Sequence, residues 1–139
     1  MRLAASATGL VVLGGAVSGC GHPTGSPPTG PVAAGNISAL SVGALLVMSN
    51  VVVGRDAVGV YAMSGVCTHA GCLLPEGAGT IAGGLGCPCH GSGFDGAGEV
   101  TRGPATRPLQ HYAVAIADDG SLTVDGSQLV TPDTRTPAP

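Results

Sequence analysis

Cys67-Thr68-His69-Ala70-Gly71-Cys72 and, 15 residues beyond its end, Cys87-Pro88-Cys89-His90-Gly91-Ser92 decide how this chain is read. Between them they hold four of the five cysteines and two of the four histidines in a chain of 139 residues. Each box offers one thiolate and one imidazole a residue or two apart: Cys67 with His69, and Cys87 with His90. Thiolates select iron–sulfur clusters, zinc or cuprous copper, and imidazole suits iron, zinc and copper. A Cys2His2 zinc site uses four of the six side chains and leaves two cysteines without a role. A Rieske [2Fe–2S] centre, with two cysteines on one iron and two histidines on the other, belongs to the same ligand chemistry.

The boxes resemble those of the disulfide-containing Rieske [2Fe–2S] proteins, in a small lipoprotein form. That pattern reads Cys-Thr-His-x-Gly-Cys followed by Cys-Pro-Cys-His-Gly-Ser, with Ala70 at x. The resemblance implies that Cys67 and Cys87 bind an inner iron, that His69 and His90 bind an outer, solvent-facing iron, and that Cys72 and Cys89 form a disulfide between the two loops. It further implies an all-β fold of three stacked antiparallel sheets, with a cluster-binding subdomain over about residues 66–107.

Three departures from the family pattern carry expectations of their own. Ser92 stands where the family has a serine that donates to a cluster sulfur. Phe94 stands where the high-potential members have a tyrosine donor. Donors to the sulfurs raise the potential, so the loss of one implies a centre tuned below those of the respiratory complexes. Arg102-Gly103-Pro104-Ala105-Thr106-Arg107-Pro108 resembles the loop that covers the cluster from a third side, represented here by Gly103 and Pro104; Thr106 replaces its second proline. Ala70 occupies a position where complex-bound relatives carry a bulkier docking residue.

The N-terminus accounts for the fifth cysteine. Arg2 precedes an uncharged apolar run, Leu3 to Val17, which ends in Val17-Ser18-Gly19-Cys20 and resembles a bacterial lipobox. A short charged n-region and an apolar h-region are the layout of a signal peptide. Residues 1–19 read as that peptide, with Cys20 the lipidated first mature residue. The run is short and glycine-interrupted for a spanning helix, which wants about 20 apolar residues. An exported location suits a lasting disulfide. A single arginine, with no second beside it, leaves the export route of a folded metalloprotein unspecified. Residues 20–35 read as a Pro/Gly-rich tether, with His22 solvated in it, and residues 131–139 as a disordered tail.

The remaining body, residues 36–130, reads as one all-β domain. Apolar or alternating runs predict strands at residues 44–48, 51–55, 59–63, 109–117 and 122–124, punctuated by turn signals such as Asp118-Asp119-Gly120. His111 is expected at a strand surface or rim. Aromatics make up only 2% of the chain, so the core is thin, and the disulfide and cluster are expected to staple it. The chain has no lysine and a formal net charge of −3, which argues against nucleic-acid binding.

Together these readings predict an extracytoplasmic, lipid-anchored one-electron carrier with a Rieske [2Fe–2S] cluster, exchanging electrons with a redox protein, a cytochrome or quinol, and not a stand-alone catalyst. The alternatives are the iron–sulfur subunit of a quinol-oxidising cytochrome bc complex, the small subunit of a molybdenum oxidase and, from another class, a zinc-stabilised binding module.

Overall fold

The computed structural model describes residues 21–139. The signal-peptide and Cys20 readings lie outside the described residues. Ten strands run in the order β1 (Pro31–Asn36), β2 (Ala44–Met48), β3 (Val51–Arg55), β4 (Val60–Ser64), β5 (Gly77–Thr80), β6 (Leu85–Gly86), β7 (Gly93–Phe94), β8 (Val100–Arg102), β9 (His111–Ile116) and β10 (Ser121–Val130).

The meander β2–β3–β4 is the centre of the molecule. Its last two strands are buried almost end to end, because both of their faces are covered. Val51, Val53, Val60 and Ala62 face one apolar cluster, shared with Ala34, Leu40, Tyr112, Leu122 and Val124. Val52, Tyr61 and Met63 face the other, shared with Cys67, Cys72, Leu74, Cys87, Phe94 and Leu109. A strand buried on both faces reads as a continuous apolar run, and this one does. The β3–β4 turn is closed by Asp56, whose carboxylate accepts the backbone N–H groups of Val58 and Gly59 at 2.8 and 3.0 Å, as turn aspartates do.

Strands β1, β10 and β9 form the second layer, and β6, β7 and β8 the third. Hydrogen bonding joins the first two layers into one seven-stranded sheet, β1-β10-β9-β4-β3-β2-β5, beside the three-stranded sheet β6-β7-β8. The three expected sheets are therefore three layers but two sheets. The joint is the short pairing of β4 with β9, Ala62 opposite Tyr112 and Met63 opposite His111.

Both ends of the domain differ from expectation. The tether does not stay free to residue 35: Pro31–Asn36 pairs with β10 as an edge strand, and Pro31 opens it, where a missing N–H is tolerated. Further upstream, Leu73 donates to the Pro23 carbonyl and Gly25 to the Gly71 carbonyl, both at 2.9 Å. The tail is not loose either. Thr136 and Val60 exchange backbone hydrogen bonds at 2.8 Å. Arg135 pairs with Asp56 at 2.5 Å and lies 4.2 Å over the Tyr61 ring. Val60 begins β4 with backbone groups to spare, and the tail supplies their partners.

His111 is not at a strand surface or rim. It is buried, at 4% exposure; its Nε2–H donates to the Ala97 carbonyl at 2.8 Å and its ring stacks on Tyr61. Leu109, two residues before β9, belongs to the cluster that holds Cys67; His111 has the same parity and reaches that cluster through Tyr61, while Tyr112 faces the opposite one. A satisfied ring nitrogen lets an imidazole take a core position.

Candidate metal centre

The two boxes fold alike. In the first, the Cys67 N–H donates to the Cys72 carbonyl at 2.8 Å and the Gly71 N–H returns to the Cys67 carbonyl at 3.0 Å. In the second, the Cys87 N–H donates to the Ser92 carbonyl at 2.8 Å and the Gly91 N–H to the Cys87 carbonyl at 3.1 Å. Each loop thus closes on its first cysteine through a glycine at positive φ, 77° at Gly71 and 80° at Gly91, a conformation that glycine adopts without penalty. The first cysteine is drawn inward, and the residues two and three places on are pushed to the tip.

The side chains divide accordingly. Cys67 and Cys87 are buried, at 2% and 4% exposure, and are free thiols. His69 and His90 are exposed, their ring centroids 4.8 Å apart at 81°. Cys72 and Cys89 are joined by a disulfide, which ties the loops together. The sulfurs of Cys72, Cys87 and Cys89 lie within 4.8 Å of one another, but two of them are spent on the disulfide and have no thiolate to give. Burial pushes the Cys87 thiol up, and the neighbouring Cys67 adds to the shift. A metal, not the medium, would have to deprotonate it. Two adjacent buried thiols beneath two exposed imidazoles fit a [2Fe–2S] centre whose sulfur-ligated iron is inside and whose imidazole-ligated iron is outside.

The 102–108 loop touches both boxes. Thr68 Oγ1 donates to the Arg107 carbonyl at 2.6 Å, and Arg102 Nε donates to the Gly91 carbonyl at 2.7 Å. Gly103 and Pro104, joined by a cis bond, are exposed. Ala105 is the residue sunk against the second box, and its N–H donates to Ser92 Oγ at 3.0 Å. Nothing in the sequence marks Ala105 except its small size between two prolines. Ser92 is fully buried; with its oxygen accepting from Ala105, its own proton remains available to a sulfur.

Phe94 is buried in the same cluster as Cys67 and Cys87, so it packs the site and cannot donate to it. Phe94→Tyr is expected to raise the midpoint potential. A net hydrogen bond of about 1 kcal/mol corresponds to about 40 mV for one electron. Redox titration checks this; an unchanged or lower midpoint in a stably folded variant contradicts it.

A model of the Rieske [2Fe-2S] domain matches residues 20–113. The cytochrome b6-f complex iron-sulfur subunit of Synechococcus sp. (strain CC9605) is 41% identical over 83 residues, 60% of this chain and 44% of the relative. That of Prochlorococcus marinus (strain NATL1A) is 43% identical over 83 residues, with the same shares. The chain thus spans less than half the length of these curated relatives. Among solved structures, the cyanobacterial plasma membrane Rieske protein PetC3 from Synechocystis PCC 6803 matches with a TM-score of 0.52 at 30% identity, over 67% of this chain and 97% of that one. Naphthalene 1,2-dioxygenase, at 22% identity and a TM-score of 0.54, shares the fold.

Proposed function

The chain belongs to the Rieske [2Fe–2S] domain family, and from that membership we propose that it is an extracytoplasmic one-electron carrier. Its cofactor is a Rieske [2Fe–2S] cluster, which supplies a reversible one-electron couple when bound. In this reading Cys67 and Cys87 hold the inner iron and His69 and His90 the outer one. The observation that carries it is the division of the two like-folded loops into buried free thiols and exposed imidazoles, tied by the Cys72–Cys89 disulfide. The buried thiols exclude water from the inner side. The exposed imidazole edges are the route by which a partner comes within electron-transfer reach. Ser92 and the 102–108 loop hold the second box in place and shield it.

Iron analysis with low-temperature EPR of the reduced protein tests the reading. Two irons per chain and a Rieske signal are expected. Stoichiometric zinc in an EPR-silent protein would overturn it in favour of the zinc-stabilised module.

The anchoring proposal rests on Cys20 in its lipobox setting. No helix among the described residues is long and apolar enough to cross a membrane. Mass spectrometry of the mature protein is expected to show an N-terminal diacylglyceryl cysteine; a free Cys20 thiol on an intact leader refutes it.

A second reading, the iron–sulfur subunit of a quinol-oxidising cytochrome complex, is favoured by relatives that are named as b6-f subunits. Small, exposed Ala70 at the tip favours the free carrier. Purification under mild detergent distinguishes them: a stoichiometric cytochrome b would establish the complex.

A further inference from the structure

We propose that the histidine tip docks an acidic redox protein, whose carboxylates seat in the cleft beside His69. The inference deepens the carrier reading and rests on it for the electron, but not for the docking.

The described residues carry eight carboxylates and four arginines, so by bulk charge an acidic partner should be repelled. The arginines are not evenly placed. Arg102 ends β8 opposite Gly93 and is fastened to Gly91 in the second box. The Arg107 carbonyl is held by Thr68, and Arg107 lines an open cleft of about 610 Å³ with Ser26, His69, Ala70 and Gln110. Among the described residues no carboxylate lines this cleft.

The acids lie elsewhere. Asp95 and Glu99 close the β7–β8 turn, at the end of the small sheet away from Gly86 and Gly93. Asp56 closes the β3–β4 turn, at the other end of those strands from Cys67. Asp118 and Asp119 lie between β9 and β10, Asp125 is in β10 and Asp133 is in the tail. Glu76 accepts from the Ser49 N–H at 2.7 Å. It lines a separate cleft, with His22 and Pro88.

The other two arginines sit among these acids, Arg55 at the end of β3 and Arg135 paired with Asp56, which leaves Arg102 and Arg107 as a positive pole on the His69 side of the tip. Beyond a Debye length of about 10 Å, net charge is largely screened, so the local pole governs the final approach. Complementary charge at that range sets orientation and on-rate more than affinity. Arg107 offers a planar fork to a carboxylate, with the Gln110 amide beside it. On such an encounter the partner's ferric haem gains one electron as this protein loses one; no bond forms or breaks, and no proton is required.

The test uses the full chain loaded with its cluster and an acidic c-type cytochrome as the probe. Two quantities are read from about 20 to 200 mM salt: the stopped-flow rate of haem reduction, and binding to the immobilised ferrous cytochrome, which accepts no electron. Both are expected to fall roughly tenfold with salt, within the range of electrostatic steering. Arg107→Gln should lose most of that salt dependence. Val58→Glu changes net charge equally, at an exposed site in the β3–β4 turn, and should keep it. A rate and binding that rise with salt, or an Arg107→Gln slope equal to that of the parent, overturns the proposal. Binding that falls with salt while no electron passes would uphold the docking face and sink the carrier reading.

Discussion

Cys72→Ser is expected to destabilise the protein by about 3 kcal/mol and to corrupt its metal content. The disulfide joins residues 17 apart, and cross-linking a loop of that size restricts the unfolded chain by about 3 kcal/mol. In a domain of this size that is a fall in Tm of about 12 °C or more. The second effect is chemical. Breaking the bond on one side leaves Cys89 a free thiol within 4.8 Å of the Cys87 sulfur. Three thiols and two imidazoles then compete for metal, and tetrahedral zinc accepts such a set. The double variant Cys72→Ala/Cys89→Ala has no spare thiol. It should lose the same stability but keep iron in preference to zinc. Denaturant titration and metal analysis of both variants check this. Equal zinc uptake by the two would show that the disulfide does not guard the site, and a parent-like Tm would show that it does not staple the fold.

That double role also shows where the sequence was legible. The boxes announce themselves because a metal site needs particular atoms, and few other uses gather so many soft ligands in one stretch. Strands β2 and β3 were equally plain, since their apolar runs end in turn residues. The cryptic elements are those held by backbone alone. β5, Gly77–Thr80, is wholly exposed and pairs with β2 through its peptide groups, so no side-chain period betrays it. β6 and β7 are two residues each. The segment at residues 23–36 looks like a linker because proline, glycine and serine dominate it. Its fit to the domain depends on what it lacks: a Cβ on Gly25 would fall 2.7 Å from Leu73 Cδ2. His111 reads as a rim residue by its polarity, but its parity places it inside. Leu109, two residues before it, already pointed to the core.

Gly84→Ala is expected to cost about 4 kcal/mol and to empty the metal centre, though Gly84 is neither ligand nor neighbour of one. Gly83-Gly84-Leu85-Gly86 reads as soft filler before the second box, yet its glycines are not equivalent. Gly84 has φ 64° and ψ −158°, a region open essentially to glycine, where another residue pays about 1–3 kcal/mol. A Cβ there would also stand 2.4 Å from the Phe94 carbonyl oxygen. That atom is backbone and cannot rotate aside, so β7 must move, at a further cost of about 1–3 kcal/mol. β7 pairs with β6 through Leu85–Phe94 and Gly86–Gly93, and the second box is the loop between these strands. Separating them shifts Cys87 and His90 against Cys67 and His69, whose loop follows β4 of the larger sheet. Gly86, two residues on, meets nothing within 4 Å of an added Cβ, so Gly86→Ala should stay within about 0.5 kcal/mol of the parent. Denaturant titration and iron content of the pair decide the matter. If Gly84→Ala is as stable and as fully loaded as Gly86→Ala, the second box is not positioned by this turn.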